Sequence, residues 1–283
     1  MPELPEAETV RAQLAQQIVG LKVRSAWARL PRITVPDIET FTRELTGAIV
    51  VDARRRGKQI YFPLDSGQNL LVHLGMTGRL HVEDDDDAEA PKHVHGLLRF
   101  ENGRRLVFTD PRTFGRIGVM QELPFLQNMG PEPIDADFDE AALVARLRTR
   151  NTKIKAAILD QKLVAGLGNI YADEVCFLAG VHPEQRASDV PLAQLKRLVA
   201  AMRPTLEKAI AARGATLKDG GYQDTFGVFG SFIPQVYGNT NEPCATCGTI
   251  IQRGVLGVGK TARSYHFCST CQPLRKTETD KLR

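Results

Sequence analysis

Four cysteines close to the C-terminus constrain this chain more than any other feature. Cys244-x2-Cys247 is followed, after 20 intervening residues, by Cys268-x2-Cys271. Each pair supplies two thiolates from one tight turn, and two such turns complete a tetrahedral site with no open position. That spacing predicts a zinc ribbon holding one structural Zn2+ on Cys244, Cys247, Cys268 and Cys271. Cys176 stands outside the pattern, in an apolar run, and reads as a small buried hydrophobe.

The rest of the composition bounds the class of protein. At 283 residues the chain is long enough for two domains, each with its own core. Charged residues make up 25% and apolar residues 42%, ordinary for a globular protein. No apolar run approaches the roughly 20 residues that span a bilayer. Glu3, Glu6 and Glu8 make the N-terminus unlike a signal or transit peptide. The expected setting is therefore the cytoplasm, where five cysteines argue against a disulfide framework. The net charge of +4 is unevenly placed. Residues 242–283 hold seven Lys/Arg against three Asp/Glu, and Arg54-Arg55-Arg56-Gly57-Lys58 forms a second basic cluster. The acidic run from Glu83 to Asp87 lies apart from both. Such segregation suits a polyanionic partner.

Periodicity gives the order of elements. Residues 5–19 read as a helix, with Pro5 in its first turn and Val10, Leu14 and Ile18 at helical spacing. From Lys22 to Met120 the pattern is short strands broken by turns. Asp65-Ser66-Gly67 joins one hairpin and Asn102-Gly103 another, which suggests a β-sandwich or barrel. Met129-Gly130-Pro131-Glu132-Pro133 is a stiff break. Helical patterns follow over 140–147, 155–161, 170–179 and 192–212, the last bent at Pro204. A Gly-rich aromatic stretch over 214–230 leads into the ribbon. The expected fold is α+β: a β-sandwich domain over 2–130 preceded by a helix, a linker over 131–134, a helical domain over 135–235, and a zinc finger over 236–283.

The first residues carry chemistry of their own. Removal of Met1 exposes the secondary amine of Pro2, next to the carboxylate of Glu3. Such an amine attacks an electrophilic carbon and holds it as a Schiff base. From proline the adduct is already a cationic iminium, an electron sink for elimination.

Several motifs, in order along nearly the whole chain, resemble the formamidopyrimidine-DNA glycosylase family. They include Pro2-Glu3-Leu4-Pro5-Glu6, Arg55-Arg56-Gly57-Lys58, His73-Leu74-Gly75-Met76 and Asp110-Pro111-Arg112-Thr113-Phe114-Gly115. Gly130-Pro131-Glu132-Pro133, Gly166-Leu167-Gly168-Asn169 and Val236-Tyr237-Gly238 extend the match. The resemblance implies a base-excision repair enzyme that removes oxidised purines from damaged double-stranded DNA and cleaves the abasic site by β,δ-elimination. It implies a helix-two-turn-helix in the helical domain, and a monomer associated with the nucleoid through DNA. Pro2 is then the nucleophile, Glu3 the acid-base group at the sugar, Lys58 the proton donor in β-elimination, and Arg263 the ribbon arginine assisting δ-elimination. Met76, Arg112 and Phe114 match the trio that fills the void left by the evicted nucleotide. His73, His93, Arg112, Arg150, Lys155, Asn169 and Tyr237 fall on DNA-contact positions, with Asn169 expected as an N-cap before Ile170.

Three positions depart from the family pattern. Thr113 stands where a second basic residue is usual, and Val94 where an aspartate is common. Residues 214–222 only partly follow the segment that closes over the flipped base. Two other readings stay open on the residues alone. One is an endonuclease VIII-type enzyme for oxidised pyrimidines. The other is a non-catalytic zinc-ribbon protein that binds nucleic acid, which leaves Pro2 and Glu3 without a role.

Overall fold

The computed structural model describes residues 2–85, 88–217, 222–259 and 262–275. Asp86 and Asp87 of the acidic run, and residues 218–221 of the atypical 214–222 stretch, lie outside them. The chain divides into two compact units. Unit 1 comprises Met1–Asn128 and Ile210–Ser231, and unit 2 comprises Met129–Ala209 and Phe232–Arg283. These units group the chain differently from the expected domains in two ways. Residues 210–231 return to the N-terminal unit rather than staying with the helices, and the ribbon belongs to the helical unit rather than standing alone.

Unit 1 begins with α1 (Leu4–Ile18), β1 (Val23–Ala28), β2 (Thr34–Val35) and α2 (Ile38–Leu45). The strands β3 (Arg54–Arg56), β4 (Gln59–Pro63), β5 (Asn69–His73), β6 (Arg79–Glu83), β7 (Val94–Phe100), β8 (Arg105–Thr109) and β9 (Arg116–Met120) follow, then the single turn α3 (Phe125–Asn128). They form a four-stranded sheet in the order β1-β7-β8-β6 and a five-stranded sheet in the order β2-β9-β5-β4-β3. Phe100 and Phe108 from the first sheet and Phe62 and Val72 from the second enter one core, with Val10, Leu14 and Ile18 of α1. Burying apolar side chains from both sheets in a shared layer is what holds a sandwich together. Tyr222, from the returning segment, plugs into the same core.

The helix α2 was not legible as such among the expected strands. Asp37 caps it by accepting from Thr40 N–H at 2.7 Å, and Phe41 and Leu45 are buried on one side. Ile38, Phe41 and Leu45 stand at helical spacing behind that cap, but the eight residues lie inside a run that otherwise reads as short strands. Glu83 is likewise more than a solvated acid. Its carboxylate pairs with the fully buried Arg105, whose guanidinium also donates to Ala88 O at 2.6 Å and Glu89 O at 3.1 Å.

Unit 2 contains α4 (Glu140–Arg148), α5 (Ile154–Leu159), α6 (Asn169–Ala179) and α7 (Leu192–Ala211), whose last residues pass into unit 1. It ends in the hairpin β10 (Gln252–Leu256) and β11 (Arg263–Phe267). α7 runs unbroken through Pro204 and buries Leu195, Val199, Met202 and Leu206. Phe177 of α6 packs with Val236, Ile251, Cys244 and Cys268, so the ribbon shares a small core with that helix.

Candidate active site and nucleic-acid interface

In unit 1 the start of α1 is built around two glutamates. Glu3 is the N-cap and is fully buried, and Glu6 forms a reciprocal capping box with it, accepting from Glu3 N–H at 2.8 Å. Pro2, immediately before the cap, is buried as well. The helix supplies the N-terminal half of its dipole at this point, which favours carboxylates there.

Lys58 lies in the two-residue turn between β3 and β4, where Arg56 pairs with Gln59. Arg55 fixes that turn to α1. Its guanidinium donates to Gly57 O at 2.8 Å and to the Glu8 carboxylate at 2.9 Å. The helix that begins at Glu3 and the turn that presents Lys58 are thus joined by one buried arginine. In the sequence Arg55 reads as part of a basic cluster; its structural role follows from contact with Glu8.

His73 ends β5 and is half-buried. Burial, with the nearby charges of Lys58 and Arg116, lowers its pKa from 6.5 to about 4. It is therefore neutral near pH 7. Its Nδ1 accepts from Gly75 N–H at 3.2 Å, so the remaining proton sits on Nε2, a donor.

The three residues matched to the void-filling trio, the expected wedge, are all exposed. Met76 is 38% exposed and Phe114 52%, and the Arg112 guanidinium carbon stands 5.0 Å from the Phe114 ring centroid. Their loops touch through backbone. Gly75 has φ +63°, and a Cβ there would meet Gly115 N at 2.5 Å, so only glycine fits. Thr113 takes a left-handed φ of +53° and accepts at Oγ1 from the exposed guanidinium of Arg32. Arg32 thereby brings a cation to the place where Thr113 lacks one, a substitution across sequence that no local motif reveals. His93 is exposed with φ +62°, and its carbonyl accepts from Asp110 N–H at 3.0 Å.

In unit 2 the structure corrects one expected DNA contact. Lys155 is completely buried. Its ammonium donates to Asp173 Oδ1 at 2.6 Å, to Ser264 O at 2.7 Å and, more weakly, to Asn169 O at 3.4 Å. Asp173, also completely buried, accepts at Oδ2 from His266 N–H at 2.8 Å. The lysine works inside the protein, tying α5, α6 and β11 together. Asn169 is also placed differently from expectation: Gly168 is the N-cap and Asn169 opens the helix. Its Nδ2 lies 3.4 Å from Ser264 Oγ.

Glu174 was not singled out in the sequence. It is buried and accepts from Gln235, Val236 and Tyr237 N–H at 2.7, 3.0 and 3.0 Å. Burial raises its pKa, against the opposing pull of those three amides. Tyr237 is thereby fixed, with its ring 4.8 Å from that of His266. A signal for this existed: Asp173 and Glu174 interrupt an otherwise apolar helix, and buried carboxylates need partners. Arg150 is partly exposed, 3.8 Å from Asp160. Arg263 is exposed at the start of β11. The four ribbon sulfurs lie within 4.8 Å of one another, a closed cluster able to hold a metal ion.

Comparison with known proteins agrees along the chain. The formamidopyrimidine-DNA glycosylase N-terminal domain matches residues 1–117, and the H2TH domain of the same family matches residues 129–220. The formamidopyrimidine-DNA glycosylase of Ruegeria pomeroyi is 41% identical, covering 96% of this chain and 100% of that protein. That of Symbiobacterium thermophilum is 41% identical over 97% of this chain and 90% of its own. Among solved structures, Lactococcus lactis Fpg in complex with abasic-site DNA is 36% identical with a TM-score of 0.86, covering 96% of this chain and 100% of that one. A structure of MutM with DNA containing carbocyclic 8-oxo-G is 38% identical with a TM-score of 0.86, at the same coverage of both chains. No described helix is long and apolar enough to cross a membrane.

Proposed function

Because this chain belongs to the formamidopyrimidine-DNA glycosylase family, we propose that it excises oxidised purines from duplex DNA and cleaves the resulting abasic site. The observation that carries this reading is the buried Pro2-Glu3 pair at the cap of α1, with the Lys58 turn latched to the same helix through Arg55 and Glu8.

Freed from Met1, the Pro2 nitrogen attacks C1′ of the everted nucleotide. The N–C1′ bond forms as the glycosidic bond breaks, and the base leaves with a proton. Glu3 serves the sugar, donating a proton to the ring oxygen as its bond to C1′ breaks and the ring opens. The nitrogen loses its own proton and holds the sugar as an iminium. That cation accepts the electron pair released when the C2′ proton is taken, and the 3′ phosphate departs. Repetition of this logic expels the 5′ phosphate. Lys58 donates a proton in the first elimination and Arg263 assists the second.

Reaching C1′ requires the nucleotide to leave the stack. Met76 and Phe114 offer apolar surface for the gap, and Arg112 offers planar donors to the orphaned base. His73, held neutral, donates from Nε2 to a phosphate oxygen; His93, Arg150, Asn169 and Tyr237 serve the same backbone. Four thiolates in one cluster suit Zn2+, which would hold the ribbon closed and fix the base of the hairpin carrying Arg263. The protein acts as a monomer in the cytoplasm.

Borohydride reduction during reaction with abasic-site DNA tests the chemistry. A covalent protein–DNA adduct is expected, lost when the N-terminal amine is blocked. No adduct, or one indifferent to blocking, overturns the assignment of Pro2. Duplexes with 8-oxoguanine or thymine glycol test the substrate: faster cleavage of thymine glycol would move the enzyme to the pyrimidine class.

A further inference from the structure

Asp110 is completely buried, yet its carboxylate is shared between two loops that carry the wedge. Oδ1 accepts from the Thr77 hydroxyl and from Arg112 N–H at 3.2 Å, and Oδ2 accepts from Gly115 N–H at 2.7 Å. Thr77 follows Met76; Arg112 and Gly115 bracket Phe114. Thr77 Oγ1 also accepts from Arg112 N–H at 3.2 Å, closing the network between the loops. The backbone of Asp110 extends it. Its N–H donates to His93 O at 3.0 Å, and its carbonyl lies 3.0 Å from His95 Nε2 and accepts from Thr113 N–H at 3.2 Å.

We infer that Asp110 is the positioning residue that makes Met76, Arg112 and Phe114 act as one rigid wedge. This rests on the proposed reading of those three as the side chains that replace the evicted nucleotide. The physical reason is the acceptor count. An ionised carboxylate offers about four acceptor positions and no donor, and here three donors from two separate loops use them. No other side-chain type of that size accepts three such donors at once. Asparagine replaces one oxygen with a donor, so at least one loop meets an N–H where it needs an acceptor. A wedge must keep its shape while bases are forced apart. A small misplacement of a group that must be in register with the substrate costs on the order of a hundredfold in rate.

The test compares Asp110→Asn, Thr77→Val and Met76→Ala on two substrates. One is a duplex with 8-oxoguanine, which requires eversion. The other is a single strand with a preformed abasic site, which has no stacked partner to displace. A 2-aminopurine next to the lesion reports unstacking directly by fluorescence. The inference predicts that Asp110→Asn slows duplex excision by about tenfold to a hundredfold and lowers the unstacking signal. Scission of the single strand stays within about twofold of the unaltered rate, a change of well under 1 kcal/mol in barrier. Thr77→Val, which removes only one of the three donors, shows a smaller loss in the same direction and decides the question if Asp110→Asn fails to fold. Unchanged duplex excision in these variants overturns the inference. So does a proportional loss on both substrates, which marks a role in overall folding alone. Full duplex excision by Met76→Ala instead overturns the wedge reading itself, so the two failures are distinct.

Discussion

The carboxylate of Glu6 accepts a hydrogen bond from the amide of Ala215 at 2.9 Å, joining residues 209 positions apart. The same carboxylate accepts from Glu3 N–H at 2.8 Å, one residue from Pro2. Gly214 has φ +97°, and a Cβ there would meet Glu6 Cγ at 2.7 Å. Further along α1, Gln13 Nε2 donates to Asp224 at 2.7 Å and Gln17 Nε2 to Thr225 at 3.0 Å. Both roots of the segment around the atypical 214–222 stretch are thus tied to the helix that begins beside Pro2.

Glu6→Gln replaces one acceptor with a donor and leaves one of the two amides without a partner. An unsatisfied buried donor costs about 1–3 kcal/mol. Excision of 8-oxoguanine should fall more than cleavage of a preformed abasic site, because the family resemblance assigns the 214–222 stretch to capture of the flipped base. Single-turnover rates on the two substrates measure this. Equal losses on both would show that Glu6 serves only the cap.

Lys155→Met strands the Asp173 carboxylate in the interior. Removing one partner of a buried pair costs about 3–5 kcal/mol, so denaturant unfolding should report a large loss of stability. The double variant Lys155→Met/Asp173→Asn should recover part of it, and the cycle gives the coupling energy. A simple DNA contact would predict weaker binding with stability unchanged.

His73 gives a pH signature. Its pKa falls from 6.5 in the unfolded chain to about 4 in the fold. Between those values the unfolded chain binds a proton that the folded protein refuses. Its contribution is therefore fully present above about pH 6.5 and is lost as pH falls toward about 4. His73→Gln should flatten the fall of Tm over that window. A residual slope is expected, since burial also lowers the pKa of His95 and His182. An unchanged slope would mean His73 titrates normally.

Chelation or Cys244→Ser should release one metal ion per chain and weaken DNA binding, because the ribbon's small core includes Cys244 and Cys268. Metal content measured beside duplex affinity checks this. Affinity retained after complete loss of metal would remove the ribbon from DNA binding.

The features legible in sequence were those with local causes. Cysteine pairs sit on single turns, Asn102-Gly103 specifies its hairpin, and Pro2 and Glu3 are neighbours at the cap of one helix, so each carries its meaning within a few residues. α2 escaped although Ile38, Phe41 and Leu45 keep helical spacing behind the Asp37 cap, because its eight residues lie within a run of short strands and turns. Lys155 misled for a different reason: nothing in its neighbours announces that Asp173 and Ser264 will enclose it.

The sequence by itself determined the class of fold, the ribbon cysteines and the chemistry available at Pro2 and Glu3. Tertiary structure decided that Lys155 turns inward, that Arg32 reaches Thr113, that Glu6 holds Ala215 and that Asp110 joins two loops. Hydrogen bonds and ion pairs act over about 3 Å, and only folding brings residues distant in sequence within that reach.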